Sequence, residues 1–238
     1  GRVVLCGVVG ARAGGWFSVR GPPAGVCRVC AMKATACRRR GLWGSGERVV
    51  GCAPGEAAIC RRLHIPAEEQ VISGVYKTPS DMERMIAQKN GPRLFTVESI
   101  RQFALLSQLA ARYRVTIHVL LRLTSGSQFG LEEDEIIQII RSRADHPFVL
   151  IRGLQYFSGT QKASLKRLQR ELDALDDFAC LLAEKLGFIV HELEFGPGFP
   201  VQYFSPESFD EAKFLAGFSD MLMNLRCKAA ATEQWLLF

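Results

Sequence analysis

The chain has 238 residues, 48% hydrophobic and 23% charged, with a mean hydropathy of +0.07. Such a composition lies far from disorder and suits one large domain or two small ones. No stretch approaches the roughly 18 uninterrupted apolar residues that span a bilayer, since the longest strand-like run, Val115 to Leu121, already contains His118. A helical membrane protein is thereby excluded.

The net charge of +6 is unevenly placed. Residues 1–48 hold nine Lys and Arg against one acid, Glu47, so the remaining 190 residues carry a net −2. A nucleic-acid surface interleaves basic and aromatic residues along one face, whereas here the excess is confined to a Gly-, Arg- and Cys-rich head. That head reads as solvated, and its charge does not point to a nucleic-acid partner. Residues 1–27 are expected to be irregular. Within them Val3 to Gly10 is an apolar run shorter than a usual export signal, and the absence of an initiator Met suggests a fragment or a processed chain. Cys27 and Cys30 form a CxxC with no second CxxC and no nearby His, so no metal set is expected. Cys52, Cys60, Cys180 and Cys227 sit in apolar segments and read as small buried hydrophobes. The reading is a reduced, cytoplasmic chain.

From about residue 28, short β-rich runs alternate with amphipathic stretches. Strands are expected at Cys30–Ala34, Val49–Cys52, Gln70–Gly74, Leu94–Val97, Val115–Leu123, Phe148–Leu154, Phe188–Phe195 and Cys227–Thr232. Between them helices are expected over 56–63, 79–88, 99–111, 131–143, 161–186 and 206–224. In the fifth, Leu165, Leu168, Leu172, Leu175, Phe178, Leu182 and Leu186 recur at steps of three and four, which turns one apolar stripe toward a sheet. Eight such units make a (β/α)8 TIM-type barrel over residues 28–238. The first crossover, between Ala34 and Val49, lacks the apolar period of a packed helix. An open doubly wound sheet is the alternative, and in either architecture ligands gather at the carboxyl ends of the strands.

Those ends carry the chemistry. Lys33 ends the first expected strand, Arg122 the fifth and Glu233 the eighth, while Gln155 to Gln161 follow the sixth and Gly196-Pro197-Gly198 the seventh. A lysine among apolar strand residues can be desolvated and deprotonated near neutral pH, as a Schiff-base amine requires, or it can snorkel from the rim with its stem packed. The Gly-Pro-Gly turn and Ser158-Gly159-Thr160 suit a phosphate, because glycines let backbone N–H groups approach an anion and hydroxyls add donors.

Six segments in order resemble one family. Ala31-Met32-Lys33-Ala34-Thr35 is similar to Ala-Val-Lys-Ala-Asn, and Ser73-Gly74-Val75-Tyr76-Lys77-Thr78 to Ser-Gly-x-x-Lys-Thr. Phe95-Thr96-Val97-Glu98-Ser99 is similar to a Val-Asp-Ser strand end, and Leu121-Arg122-Leu123 with Ser127-Gln128-Phe129-Gly130 to Leu-Arg-x and Ser-Lys-Phe-Gly. Gly153 through Gln161 resembles Gly-Leu-His-x-His-x-Gly-Ser-Gln, and Glu194 through Pro200 resembles Asp-x-Gly-Gly-Gly-Phe-Pro. These are the motifs of the fold-type III, pyridoxal-phosphate-dependent decarboxylases of diaminopimelate, ornithine and arginine, whose barrel is alanine racemase-like. The resemblance implies pyridoxal 5′-phosphate as cofactor, a small amino acid as substrate and decarboxylation of a basic or diamino acid. It implies Lys33 as the Schiff-base lysine, Arg122 near the cofactor ring, and Thr160, Gly196 and Gly198 at the phosphate. It also implies Glu233 at the pyridinium nitrogen and Phe157 in the place of the histidine that stacks on the ring. The resembled enzymes continue into a β-sandwich domain and share sites across a homodimer; the sequence stops at Phe238, so a barrel without that domain is expected, with a non-catalytic cofactor-binding or interaction homologue as the alternative.

Overall fold

The computed structural model describes residues 2–7, 28–31, 48–51, 54–88, 91, 92, 94–200, 210–227 and 235–237. Its strands are β1 (Arg2–Gly7), β2 (Arg28–Ala31), β3 (Arg48–Gly51), β4 (Gln70–Ile72), β5 (Leu94–Val97), β6 (Ile117–Leu123), β7 (Val149–Phe157), β8 (Glu192–Gly196) and β9 (Trp235–Leu237). Every ladder is parallel and spatial order follows chain order, with β9 pairing back to β1 to close the sheet. Helices α1 (Pro54–Arg62), α2 (Pro79–Ala87), α3 (Ile100–Tyr113), α4 (Glu133–Arg141), α5 (Leu165–Leu186) and α6 (Glu211–Met223) occupy crossovers between strands, as parallel pairing demands.

Local chemistry sets the helix starts. Thr78 accepts a hydrogen bond from the Asp81 N–H with Pro79 in the first turn, and Ser99 accepts from Gln102 N–H. The Glu132 N–H donates to Glu135 Oε2 at 2.9 Å, one arm of a capping box, and Ser164 accepts from Arg167 N–H. The expected stripe of α5 is the face that packs: Leu168, Leu172, Leu175, Phe178 and Leu182 are buried, while Leu165 and Leu186 at its ends are half-buried.

Several expectations change, among them the seventh expected strand, which begins at Glu192 and not at Phe188. Arg2–Gly7, inside the stretch read as irregular, is a strand, and nine strands stand among the described residues where eight were expected. Its Val3-Val4-Leu5 run is β-prone, and β2 and β9 offer it ladder partners on both sides. Strand β7 runs three residues beyond Leu154, through Phe157, because its ladder with β8 continues to the Phe157–Gly196 pair. The last described strand is Trp235–Leu237; of the expected strand Cys227–Thr232 only Cys227 is described, and it is helical. Cys227 instead docks on α5: Asp176 Oδ1 accepts from the Cys227 N–H at 2.7 Å and Asp176 Oδ2 from the Arg226 N–H at 3.0 Å. Most of the first crossover, Cys27 of the CxxC and Cys52 lie outside the described residues, while Cys30 stands in β2.

Side-chain alternation gives the sheet two unlike faces. Val97, Leu121, Leu154 and Leu193 belong to the core between sheet and helices. Their strand neighbours Thr96, Leu120, Arg122, Gln155, Glu192 and Glu194 therefore point the other way, into the barrel.

Candidate functional site

The inward row is polar at the carboxyl ends of the strands. Arg122, Gln155 and Glu194 are consecutive register partners on β6, β7 and β8, so their side chains stand side by side on one face. Arg122 Nη1 donates to Glu98 Oε2 at 2.7 Å, with the Glu98 side chain 1% exposed and that of Arg122 13% exposed. The Phe129 ring lies 5.5 Å from the guanidinium carbon. Below them the Thr96 hydroxyl donates to Ser73 Oγ at 3.1 Å, which joins β5 to the end of β4. Glu98 Oε1 and Gln155 Oε1 are buried and find no hydrogen-bond partner among the described residues. A buried acceptor left without a donor costs about 1–3 kcal/mol.

Two turns close over the row. After β7 the chain passes through Ser158-Gly159-Thr160, with Thr160 exposed, and after β8 through Gly196-Pro197-Gly198. They are pressed together: Gly198 has φ +60°, and a Cβ there would stand 2.0 Å from the Gly159 carbonyl oxygen. No other residue type fits that approach without moving one of the turns. A Cβ on Gly196 would meet the Phe157 ring at 2.5 Å, so Phe157 lies against the same turn.

A buried ionic knot sits behind both turns. Lys162 Nζ donates to Ser158 Oγ at 2.8 Å, to Glu171 Oε2 at 2.8 Å and to the Gly196 carbonyl at 3.4 Å. Burial draws the Lys162 ammonium below its ordinary range, against the opposing pull of Glu171. Burial raises the Glu171 carboxyl, but hydrogen bonds from Lys162 and Ser158 outweigh it and the net direction is down. Tyr156 faces away from the barrel and stacks on Phe195 with ring centroids 6.0 Å apart; burial pushes its phenol up.

The structure thus brings Arg122, Phe157, Thr160, Gly196 and Gly198 to one end of the barrel. Lys33 and Glu233 lie outside the described residues. In sequence Lys33 follows β2 by two positions, while Glu233 precedes β9 instead of ending it. Glu98, Gln155 and Glu194 stand within the matched motifs, so their places were readable there although no role attached to them. Lys162 and Glu171 left no such signal, since a lysine in a polar loop and an acid on an amphipathic helix look solvated. A separate cavity of about 420 Å³ opens between β6, β7, α4 and α5, lined by residues including Thr124, Glu132, Tyr156 and Glu171, and contains none of the expected site residues. No described helix is long and apolar enough to cross a membrane.

Residues 46–228 match the family model described as pyridoxal-dependent decarboxylase, pyridoxal binding domain. A L-glutamyl-[BtrI acyl-carrier protein] decarboxylase of Niallia circulans is 27% identical over 77% of the chain and 46% of its own length. A diaminopimelate decarboxylase of Actinosynnema pretiosum subsp. auranticum is 28% identical over 78% of the chain and 45% of its own length. The chain therefore spans less than half the length of these two curated relatives. Among solved structures, the diaminopimelate decarboxylase of M. jannaschii in complex with L-lysine superposes with a TM-score of 0.73 at 22% identity, covering 88% of this chain and 52% of that one. A lysine/ornithine decarboxylase of Vibrio vulnificus complexed with putrescine gives 0.71 at 20% identity, covering 85% and 53%.

Proposed function

The chain belongs to the pyridoxal-dependent decarboxylases and carries their pyridoxal-binding domain, and from that premise we propose that it serves the decarboxylation of a basic or diamino amino acid. The domain proposed is residues 28–238 as the equivalent of the (β/α)8 barrel, with β1 as an added strand of the closed sheet, working as a homodimer. The proposed cofactor site is Lys33, Arg122, Phe157, Thr160, Gly196, Gly198 and Glu233.

The observation that carries this reading is the pair of turns at Thr160 and Gly196–Gly198, locked within van der Waals limits above an inward row of Arg122, Gln155 and Glu194. The described residues fit a phosphorylated pyridine ring at its phosphate end. The glycine turns and the Thr160 hydroxyl supply donors for a phosphate. When bound, pyridoxal phosphate supplies an electron sink for the carbanion left as CO₂ departs.

The chain's own residues do the rest. Glu98 fixes the Arg122 guanidinium so that it faces the mouth as a preset charge, and Phe157 offers an aromatic face beside the phosphate turn. Lys33 is proposed to hold the cofactor covalently; Glu233 is offered as the partner of the ring nitrogen on the resemblance alone, since in sequence it precedes β9 by two positions. The test is titration of the chain with pyridoxal phosphate. A visible absorbance band, lost on borohydride reduction with the added mass mapped to Lys33 and absent in Lys33→Ala, is expected; no band would overturn the reading. Release of CO₂ from diaminopimelate, ornithine, arginine or lysine then identifies the substrate, and release from none of them favours the non-catalytic homologue.

A further inference from the structure

We propose that Lys162 is the positioning residue of the phosphate end of the site: its buried ammonium ties the β7 turn and the β8 turn to helix α5 and so fixes the spacing between them. This rests on the cofactor site proposed above. The Lys162 side chain is fully buried, and its three ammonium protons match three acceptors, Ser158 Oγ, Glu171 Oε2 and the Gly196 carbonyl. Its backbone N–H donates to the Gly198 carbonyl at 2.8 Å, so one residue grips both ends of the Gly-Pro-Gly turn. Glu171 completes the knot by accepting from the Ser158 hydroxyl at 2.7 Å and from Arg167 Nε at 3.2 Å.

Packing alone does not call for this arrangement. Taking a charge pair out of water is costly, and apolar residues of similar volume often serve a core as well or better. A methionine would fill the space beside Phe195, whose ring lies 5.5 Å from Lys162 Nζ. What a methionine cannot do is hold a hydroxyl, a carboxylate and a carbonyl from three elements at one point. The knot also carries two cations, Lys162 and Arg167, for one carboxylate, an excess of positive charge behind turns suited to an anion. It lies at the turns and not at the Arg122–Gln155–Glu194 row, so its influence falls first on the phosphate end.

The test compares pyridoxal phosphate with pyridoxal, which lacks the phosphate, by absorbance titration of the wild-type chain, Lys162→Met, Lys162→Arg and the double variant Lys162→Met/Glu171→Met, with melting temperatures recorded in parallel. Expected is an affinity loss of about tenfold or more for pyridoxal phosphate in both methionine variants. Pyridoxal binding should stay at the wild-type level, and Lys162→Arg should recover part of the loss. The double variant leaves no unpaired buried carboxylate and decides the matter if Lys162→Met does not fold. Equal weakening of both ligands, or unchanged affinity for pyridoxal phosphate, overturns the role of Lys162 while leaving the cofactor site standing. A wild-type chain that binds neither ligand overturns the cofactor site itself, and this inference with it.

Discussion

Arg122 and Glu98 meet at 2.7 Å inside the barrel, on adjacent strand ends, with the carboxylate almost fully shielded from solvent. One oxygen of Glu98 is spent on this pair and the other has no partner among the described residues, while its backbone N–H is held by Gln102 Oε1 at 3.0 Å. The guanidinium is thus fixed before any ligand arrives. Glu98→Gln keeps the shape but leaves a buried cation uncompensated, and it should lower unfolding free energy by about 3 kcal/mol. Urea denaturation checks this, and a loss below about 1 kcal/mol would show that solvent already screens the pair.

Gly198→Ala tests the contact between the two turns. The substitution places a methyl group 2.0 Å from the Gly159 carbonyl oxygen at φ +60°, so the turns must separate. Expected are a stability loss of about 1–3 kcal/mol and a larger proportional loss of pyridoxal phosphate affinity than of pyridoxal affinity. Crystallisation of the variant with the turns unmoved would contradict the account.

Asp176 makes stability depend on acid. Burial raises its carboxyl, but N–H groups of Cys227 and Arg226 and the Arg226 guanidinium outweigh that and hold it below the ordinary carboxylate range. The folded chain therefore binds fewer protons than the unfolded one, and the stabilisation is present above the unfolded value and lost as pH falls through the folded one. The melting temperature should drop on acidification below about pH 4, and Asp176→Asn should melt lower at neutral pH with a flatter acid limb. Parallel wild-type and variant curves across that range would refute the assignment.

The stripe of α5 predicts a graded cost. Leu172 is fully buried against the sheet, whereas Leu186 at the helix end is half-buried. Leu172→Ala should cost about 2–5 kcal/mol and Leu186→Ala clearly less, as read by denaturant midpoints at constant slope. Equal costs would mean that the stripe does not face the core as described.

The sequence by itself determined the periodic elements and the order of the motifs. Strand β5 and the burial of Leu168 through Leu182 follow from local apolar spacing, which a chain carries wherever it packs. The turns at Thr160 and Gly196–Gly198 were legible because glycine and hydroxyl residues are the ones such turns require. What only the tertiary structure decided depends on neighbours distant in the chain. Arg2–Gly7 is a strand because β2 and β9 flank it, and Cys227 leaves the strand pattern because Asp176, 51 positions earlier, captures its N–H. Lys162 is buried because Glu171, Ser158 and Gly196 converge on its ammonium, and Glu98 becomes the anchor of Arg122 through a contact 24 positions long. A charged side chain looks the same in a sequence whether water or another chain segment solvates it, and closure of the sheet is what made that choice.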